Sequence, residues 1–244
     1  MRPVQRGISP RTIDFSDYDD AKPYLVSRIG RYCSFCERPI ATVLAVEHIQ
    51  PKSLAAYNHL IGRWENFLLA CVNCNSCKKA KNIVLSDVIL PDRDNTFAAF
   101  TYSADGTMTA ASNLSVCARA LAVTTLNVTG LDKKICTTLD ENGRQVALDR
   151  VSQRMEAWAI AEESRAGTLA NPTNIELRQA VIRLAVSTGF FSIWLTVFAA
   201  DSVIRNSLID AFAGTRGSGC FDHVTTQPVS PAPNPDQLGH GGKI

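Results

Sequence analysis

The chain has 244 residues, of which 45% are hydrophobic and 20% charged. That balance excludes a disordered chain and leaves room for one large domain or two small ones, with a core that folds without disulfides. A net charge of +2 is too small to argue for a polyanionic partner by itself.

Met1 to Asp20 carries Arg2, Arg6 and Arg11 and then four aspartates, with no apolar run. It does not read as a signal peptide, and the chain is expected to be cytoplasmic. The first dozen residues read as a flexible arm. Ser16-Asp-Tyr-Asp19 reads as a helix start and Gly30 as its stop, and this helix is expected to pack on the cysteine-rich segment after it. From Arg28 to Lys81 eight basic residues stand against three acidic ones, which is a mild pointer to a polyanion.

Five of the eight cysteines fall between residues 33 and 77, in two CxxC pairs, Cys33-Ser-Phe-Cys36 and Cys71-Val-Asn-Cys74, plus Cys77. Without a secretion signal a disulfide framework is not expected, and four thiolates suit a tetrahedral structural zinc. A single CxxC could be a redox motif, but two pairs in a basic, turn-rich segment favour metal. Cys77 is read as a bystander on the following helix, or else as a replacement for one of the four. The 34 residues between the pairs exceed the usual zinc-ribbon spacing, so something is inserted there.

Within the insertion, Val43 to Ile49 reads as a short strand ending at the turn Gln50-Pro51-Lys52-Ser53. A looser stretch runs to Arg63, and Trp64 to Cys71 is a second apolar run of strand length. Asn75 to Lys81 has helix-forming composition, with Cys74-Asn75 at its start. His59 is expected in solvent and Trp64 in the core.

After Pro91, Thr96 to Tyr102, Asp105-Gly106 and Thr107-Met-Thr read as a β-hairpin. Helices are expected at Ser115–Leu126, within Leu131–Ala166 (one or two), at Asn174–Val186, and over Phe190–Phe212 after a break at Gly189. The longest uncharged stretch, Leu184 to Ala200, is shorter than the ~20 apolar residues of a membrane span and contains hydroxyl residues, so it reads as core. Residues 214–244 hold six of the chain's 14 glycines and four of its 11 prolines and read as a flexible tail, anchored at its start by Cys220 and Phe221. The fold class expected is α+β, divided at 1–95, 96–213 and 214–244, with no sequence repeat.

The order Cys33-x-x-Cys36, Glu47-His48-Ile-x-Pro51-Lys52-Ser53, Asn66-Phe-Leu-Leu-x-Cys71-x-x-Cys74-Asn75 and Lys78 resembles the HNH endonucleases with their ββα-metal site. The likeness covers about 50 residues. It implies Glu47 as the acidic metal ligand, His48 as general base, Asn66 as the residue that orients the histidine, and Asn75 as the second metal ligand, where His is usual. The chain would thus be an HNN variant. More loosely, the phrases Glu47–Ser53 and Trp64–Asn75 and the overall layout resemble the HNH proteins of Septu-type and retron-linked anti-phage systems. That likeness implies an antiviral role and an ATPase partner docked on the helical half.

The residues also have a direct chemical reading. Phosphodiester hydrolysis needs an activated water, a cation near the phosphate and stabilisation of the leaving oxygen. A neutral histidine can accept the water's proton. A carboxylate and an amide oxygen suit Mg²⁺ or Mn²⁺. Lys78 and Lys79, taken to lie at the helix start, and Lys52 are candidates for phosphate contact in DNA, the favoured nucleic acid. Lys78, Lys79 and Lys81 have an equally plain reading as a solvated helix face. A rival function is a catalytically silent module that binds nucleic acid or a partner. HNH sites often nick one strand, so a homo-oligomer would supply a second site for double-strand cutting.

Overall fold

The computed structural model describes residues 1–133 and 150–244. The fold is α+β: small two-stranded sheets among helices. A 3-10 turn at Tyr18–Ala21, capped by Asp17, leads into α1 (Lys22–Ile29), which carries a proline in its first turn and ends at Gly30. Gly30 has φ +76°, and a Cβ there would stand 2.8 Å from the Tyr32 ring. The first CxxC turn comes next, closed by a bridge between Tyr32 and Pro39. Then come β1 (Ala45–His48), a loop with a 3-10 turn at Ala55–Leu60, β2 (Phe67–Ala70) and α2 (Val72–Lys78).

β1 and β2 pair antiparallel, with Glu47 opposite Leu68 and His48 opposite Phe67. Alternation along β1 sorts its side chains. Val46 faces α1, in a cluster with Leu25, Ile29, Trp64, Phe67 and Leu69. Ile49 lies in the opposite cluster, with Phe35, Leu68 and Ile83. Trp64 is core and His59 is exposed.

α3 (Thr96–Ala99) precedes β3 (Phe100–Tyr102) and β4 (Met108–Ala110), which pair antiparallel. The expected hairpin is therefore shorter at its start: the Asn95 side chain accepts from Ala98 N and turns residues 96–99 into one helical turn. α4 (Val116–Thr129) is capped by Ser115 and stopped by Gly130 in the left-handed region. α5 (Arg150–Ala170), α6 (Ile175–Thr188, capped by Asn174), α7 (Phe191–Val197) and α8 (Ser202–Ala211, capped by Asp201) complete the helices. The part of the expected Leu131–Ala166 helix at residues 134–149 lies outside the described residues. The uncharged stretch from Leu184 is split between α6 and α7 at Gly189 and Phe190. Among the described residues, no helix is long and apolar enough to cross a membrane.

Two expectations are corrected. The N-terminal dozen is not a loose arm. Met1 and Val4 are buried, the Met1 ammonium pairs with Glu37 at 2.8 Å, and buried Arg6 pairs with Asp92 at 2.8 Å. Nor is 214–244 a loose tail. Its Asp236 carboxylate accepts from the backbone N–H groups of Arg6 and Gly7, Lys243 pairs with Asp94 at 3.4 Å, and Ile244 is buried. Composition signals irregular backbone, which need not be mobile once its polar groups find partners. One apolar cluster accordingly draws Met1, Cys33, Leu126, Ile193 and Ile244 together.

The tail also repeats the geometry of the CxxC turn. Phe221 bridges Pro228 as Tyr32 bridges Pro39. Asp222 N donates to Gln227 O at 2.9 Å as Cys33 N donates to Arg38 O at 3.0 Å, and Thr226 (φ 60°) matches Glu37 (φ 66°). Asp222 and Thr225 thus occupy the places of Cys33 and Cys36. The Asp222 carboxylate closes the turn by accepting from Val224 N and Thr225 N.

Candidate active site and zinc centre

The two CxxC turns meet because the first docks on β2 and the second opens α2. Ser34 N donates to Leu69 O at 2.8 Å, and Leu69 N donates back to Ser34 Oγ at 3.2 Å. The sulfurs of Cys33, Cys36, Cys71 and Cys74 are buried and lie within 4.8 Å of one another, with Cys36 and Cys71 at 3.7 Å. Four sulfurs each ~2.3 Å from a tetrahedral zinc lie about 3.8 Å apart. The cluster therefore fits zinc, with every position filled by protein, as a structural site requires. Cys77 stands outside it. Its sulfur accepts from Arg150 Nη2 at 3.5 Å and from Lys133 Nζ at 3.6 Å. Arg150 also donates to Cys74 Sγ at 3.2 Å and to the carbonyls of Thr129 and Gly130. One arginine at the start of α5 thus ties the end of α4 to the cysteine centre, which spacing gave no means of foreseeing.

Beside the centre a cleft of about 430 Å³ is lined by Tyr18, Glu47, His48, Lys52, Asn75 and Lys79, among others. It straddles β1. Strand alternation turns Glu47 toward α2, where it meets Lys78, and His48 toward the 3-10 turn before α1, where its ring stands edge-on to Tyr18 at 4.8 Å. Phe67 meets the same ring edge-on at 5.2 Å.

His48 Nε2 is 3.0 Å from the Ile61 carbonyl. A carbonyl only accepts, so Nε2 carries the hydrogen and Nδ1 keeps its lone pair. Burial, with help from Lys52 and Lys78, lowers the His48 pKa below 6.5 against the opposing pull of the Ile61 carbonyl. The ring is therefore neutral at pH 7 and able to take a proton.

Asn66 is buried, and its hydrogen bonds go to backbone and not to the histidine ring. Its Oδ1 accepts from Gln50 N at 2.8 Å, and its Nδ2 donates to Gln50 O at 3.0 Å and Leu60 O at 3.3 Å. It closes both ends of the β1–β2 loop and so places the Ile61 carbonyl, which holds the ring. Asn66 is linked to the histidine only through backbone, by way of Ile61, which no side-chain motif marks.

Glu47 is buried and pairs with Lys78 at 2.7 Å. Burial raises its pKa and Lys78 opposes the rise. Asn75 lines the cleft from α2 with its side chain exposed. Glu47, buried, and Asn75, exposed, both line the cleft and both carry hard oxygen donors. That suits Mg²⁺ or Mn²⁺ with water and phosphate completing the shell, although Lys78 already shares the carboxylate.

The lysines need correction. α2 begins at Val72 and ends at Lys78, with Cys71 as its N-cap, so Lys78 and Lys79 lie at its C-terminal end, not its start. The favourable N-terminal potential expected for them is absent there. Lys78 is 3% exposed and bonded to Glu47 and to His48 O, the latter at 2.7 Å, so its ammonium is engaged within the protein. Lys79 is exposed, and Lys52 rims the cleft with its ammonium on the Tyr18 hydroxyl at 2.7 Å. The sequence marks Tyr18 only as part of a helix start, and nothing in its neighbourhood along the chain announces a place beside the histidine.

Comparison with known proteins bears on this region alone. No curated protein matches the chain. Residues 33–81, which hold all four zinc-cluster cysteines together with Glu47, His48, Asn66 and Asn75, match the HNH endonuclease family model.

Proposed function

We propose that the chain is a metal-dependent endonuclease of the HNN variant, hydrolysing phosphodiester bonds in nucleic acid, with DNA favoured. The observation that carries this reading is a histidine, held through Nε2 by a backbone carbonyl, on the same cleft as a carboxylate and an amide beside a four-cysteine centre. His48 Nδ1 accepts a proton from water as the water oxygen attacks phosphorus and the bond to the leaving oxygen breaks. Glu47 and Asn75 would hold Mg²⁺ or Mn²⁺, which neutralises charge on the phosphate when bound. Asn66 keeps the histidine in register, and Lys52 and Lys79 offer positive charge to flanking phosphates. The zinc of Cys33, Cys36, Cys71 and Cys74 is structural.

The looser likeness to Septu-type and retron-linked proteins supports an anti-phage role with an ATPase partner on the helical half. The test is incubation of zinc-loaded protein with supercoiled plasmid and Mg²⁺ or Mn²⁺, beside folded His48→Ala. Nicking or linearisation by wild type alone is expected, and equal cutting by His48→Ala refutes the assignment.

The engaged state of Lys78 on Glu47 and the Asn at position 75 favour one second reading, a silent module that binds nucleic acid or a partner. It predicts salt-sensitive binding without products or divalent-ion requirement. Activity appearing only with an added ATPase would mark a partner-gated enzyme instead.

A further inference from the structure

We propose that Lys78 couples metal loading to phosphodiester binding: its ammonium occupies Glu47 in the free protein and leaves the carboxylate to a divalent ion only when a phosphate enters the cleft. The inference rests on the nuclease reading above and adds a regulation of that site.

The geometry is specific. Lys78 Nζ lies 2.7 Å from Glu47 Oε1 and 2.7 Å from His48 O, and both charged side chains are 4% exposed. A lysine ammonium has three donors, and these two contacts use two of them. Lys78 is the only cationic group within 4 Å of Glu47 among the described residues. Lys78 also lines the cleft, so the side chain that holds Glu47 borders the space a phosphate would enter.

A buried ammonium and a divalent cation drawn to one carboxylate repel each other, and this stretch offers no second acid to balance them. The only other acidic group on the cleft among the described residues, Asp19, lies at the exposed rim and pairs with Lys22 at 3.3 Å. A phosphodiester brings the missing negative charge and gives the ammonium a new acceptor. Two ligands that each relieve the other's cost bind cooperatively, and linkage makes the effect reciprocal. The free protein is thus a weak metal binder by construction, and the ion is recruited with the substrate.

The experiment is titration of zinc-loaded protein with Mn²⁺ alone, read as free Mn²⁺ by electron paramagnetic resonance. Wild type and Lys78→Arg, which keep the charge, are expected to bind weakly. Lys78→Met is expected to bind at least tenfold more tightly. Adding a phosphorothioate oligonucleotide should tighten Mn²⁺ binding to wild type by a larger factor than to Lys78→Met. Removing one partner of a buried pair is destabilising, so a second readout is the rise in Tm on adding Mn²⁺. That rise should be greater in Lys78→Met than in wild type, because the ion restores the lost countercharge. If Lys78→Met loses stability while its Mn²⁺ affinity equals or falls below that of wild type, Lys78 is only a strut and the coupling is wrong, with the nuclease reading intact. If neither protein binds Mn²⁺ with or without oligonucleotide, and plasmid is not cut, both readings fail together.

Discussion

Replacing Asn66 by Ala tests whether the histidine is held through the loop. The substitution deletes three side-chain hydrogen bonds, at 2.8, 3.0 and 3.3 Å, that join Gln50 and Leu60 to the start of β2. Each contributes on the order of 1 kcal/mol, and the buried groups left without partners add to the loss, so about 3 kcal/mol is expected. For a chain of this length that corresponds to a drop in Tm of roughly 6–12 °C. The functional effect should exceed what stability explains. With Leu60 released, the adjacent Ile61 carbonyl no longer fixes the ring, and a misplacement of about 1 Å lowers cleavage on the order of a hundredfold. Asn66→Asp retains the acceptor for Gln50 N but turns an oxygen toward two carbonyls, so it should be no better than Ala. The assay is plasmid cleavage well below each variant's Tm, with folding monitored by circular dichroism. A folded Asn66→Ala that cuts at the wild-type rate would show that the loop closure does not position the base.

The same contacts set four other expectations. Because His48 must be neutral to accept a proton and its pKa lies below 6.5, cleavage should hold at neutral pH and fall on acidification, with its midpoint below that value. Lys52→Met removes one of the charges that lower the pKa and should shift the acidic limb upward in a pH–rate profile, whereas no shift would remove Lys52 from the histidine's electrostatics. Mass spectrometry of metal content should find one zinc per chain, lost in Cys33→Ser and Cys74→Ser with collapse of the 33–81 region. Cys77→Ser should keep its zinc, since that sulfur lies outside the cluster. Gly189→Ala should lower Tm, because residue 189 has φ +74° and its Cβ would stand 2.6 Å from Pro39 Cδ and 2.8 Å from Glu37 O. An unchanged melting curve would contradict the packing of α6 against the first CxxC turn.

What the sequence determined by itself is what local chemistry dictates. Two CxxC pairs in one basic segment call for metal, Ser115 and Asn174 cap helices through bonds three residues long, and Gly189 breaks one. The zinc ligands and the strand–loop–strand order were therefore legible, as was the placing of Glu47 and His48 on β1. The start of α2 lies three residues earlier than composition suggests, because Val72 and Asn73 carry no helix signal stronger than the cysteine before them. Tertiary structure alone decided the partners. Lys78 meets Glu47 and His48 across 31 and 30 residues, Arg150 reaches Cys74 across 76, and Lys243 reaches Asp94 across 149. A charged side chain carries no mark of whether it will meet solvent, phosphate or a buried carboxylate. That choice falls to whichever desolvated group the fold brings alongside, since burial makes an unpaired charge costly and a paired one tolerable. Arg2 and Arg6 can lie buried because the fold surrounds them with carbonyl, hydroxyl and carboxylate acceptors, which their composition could not announce.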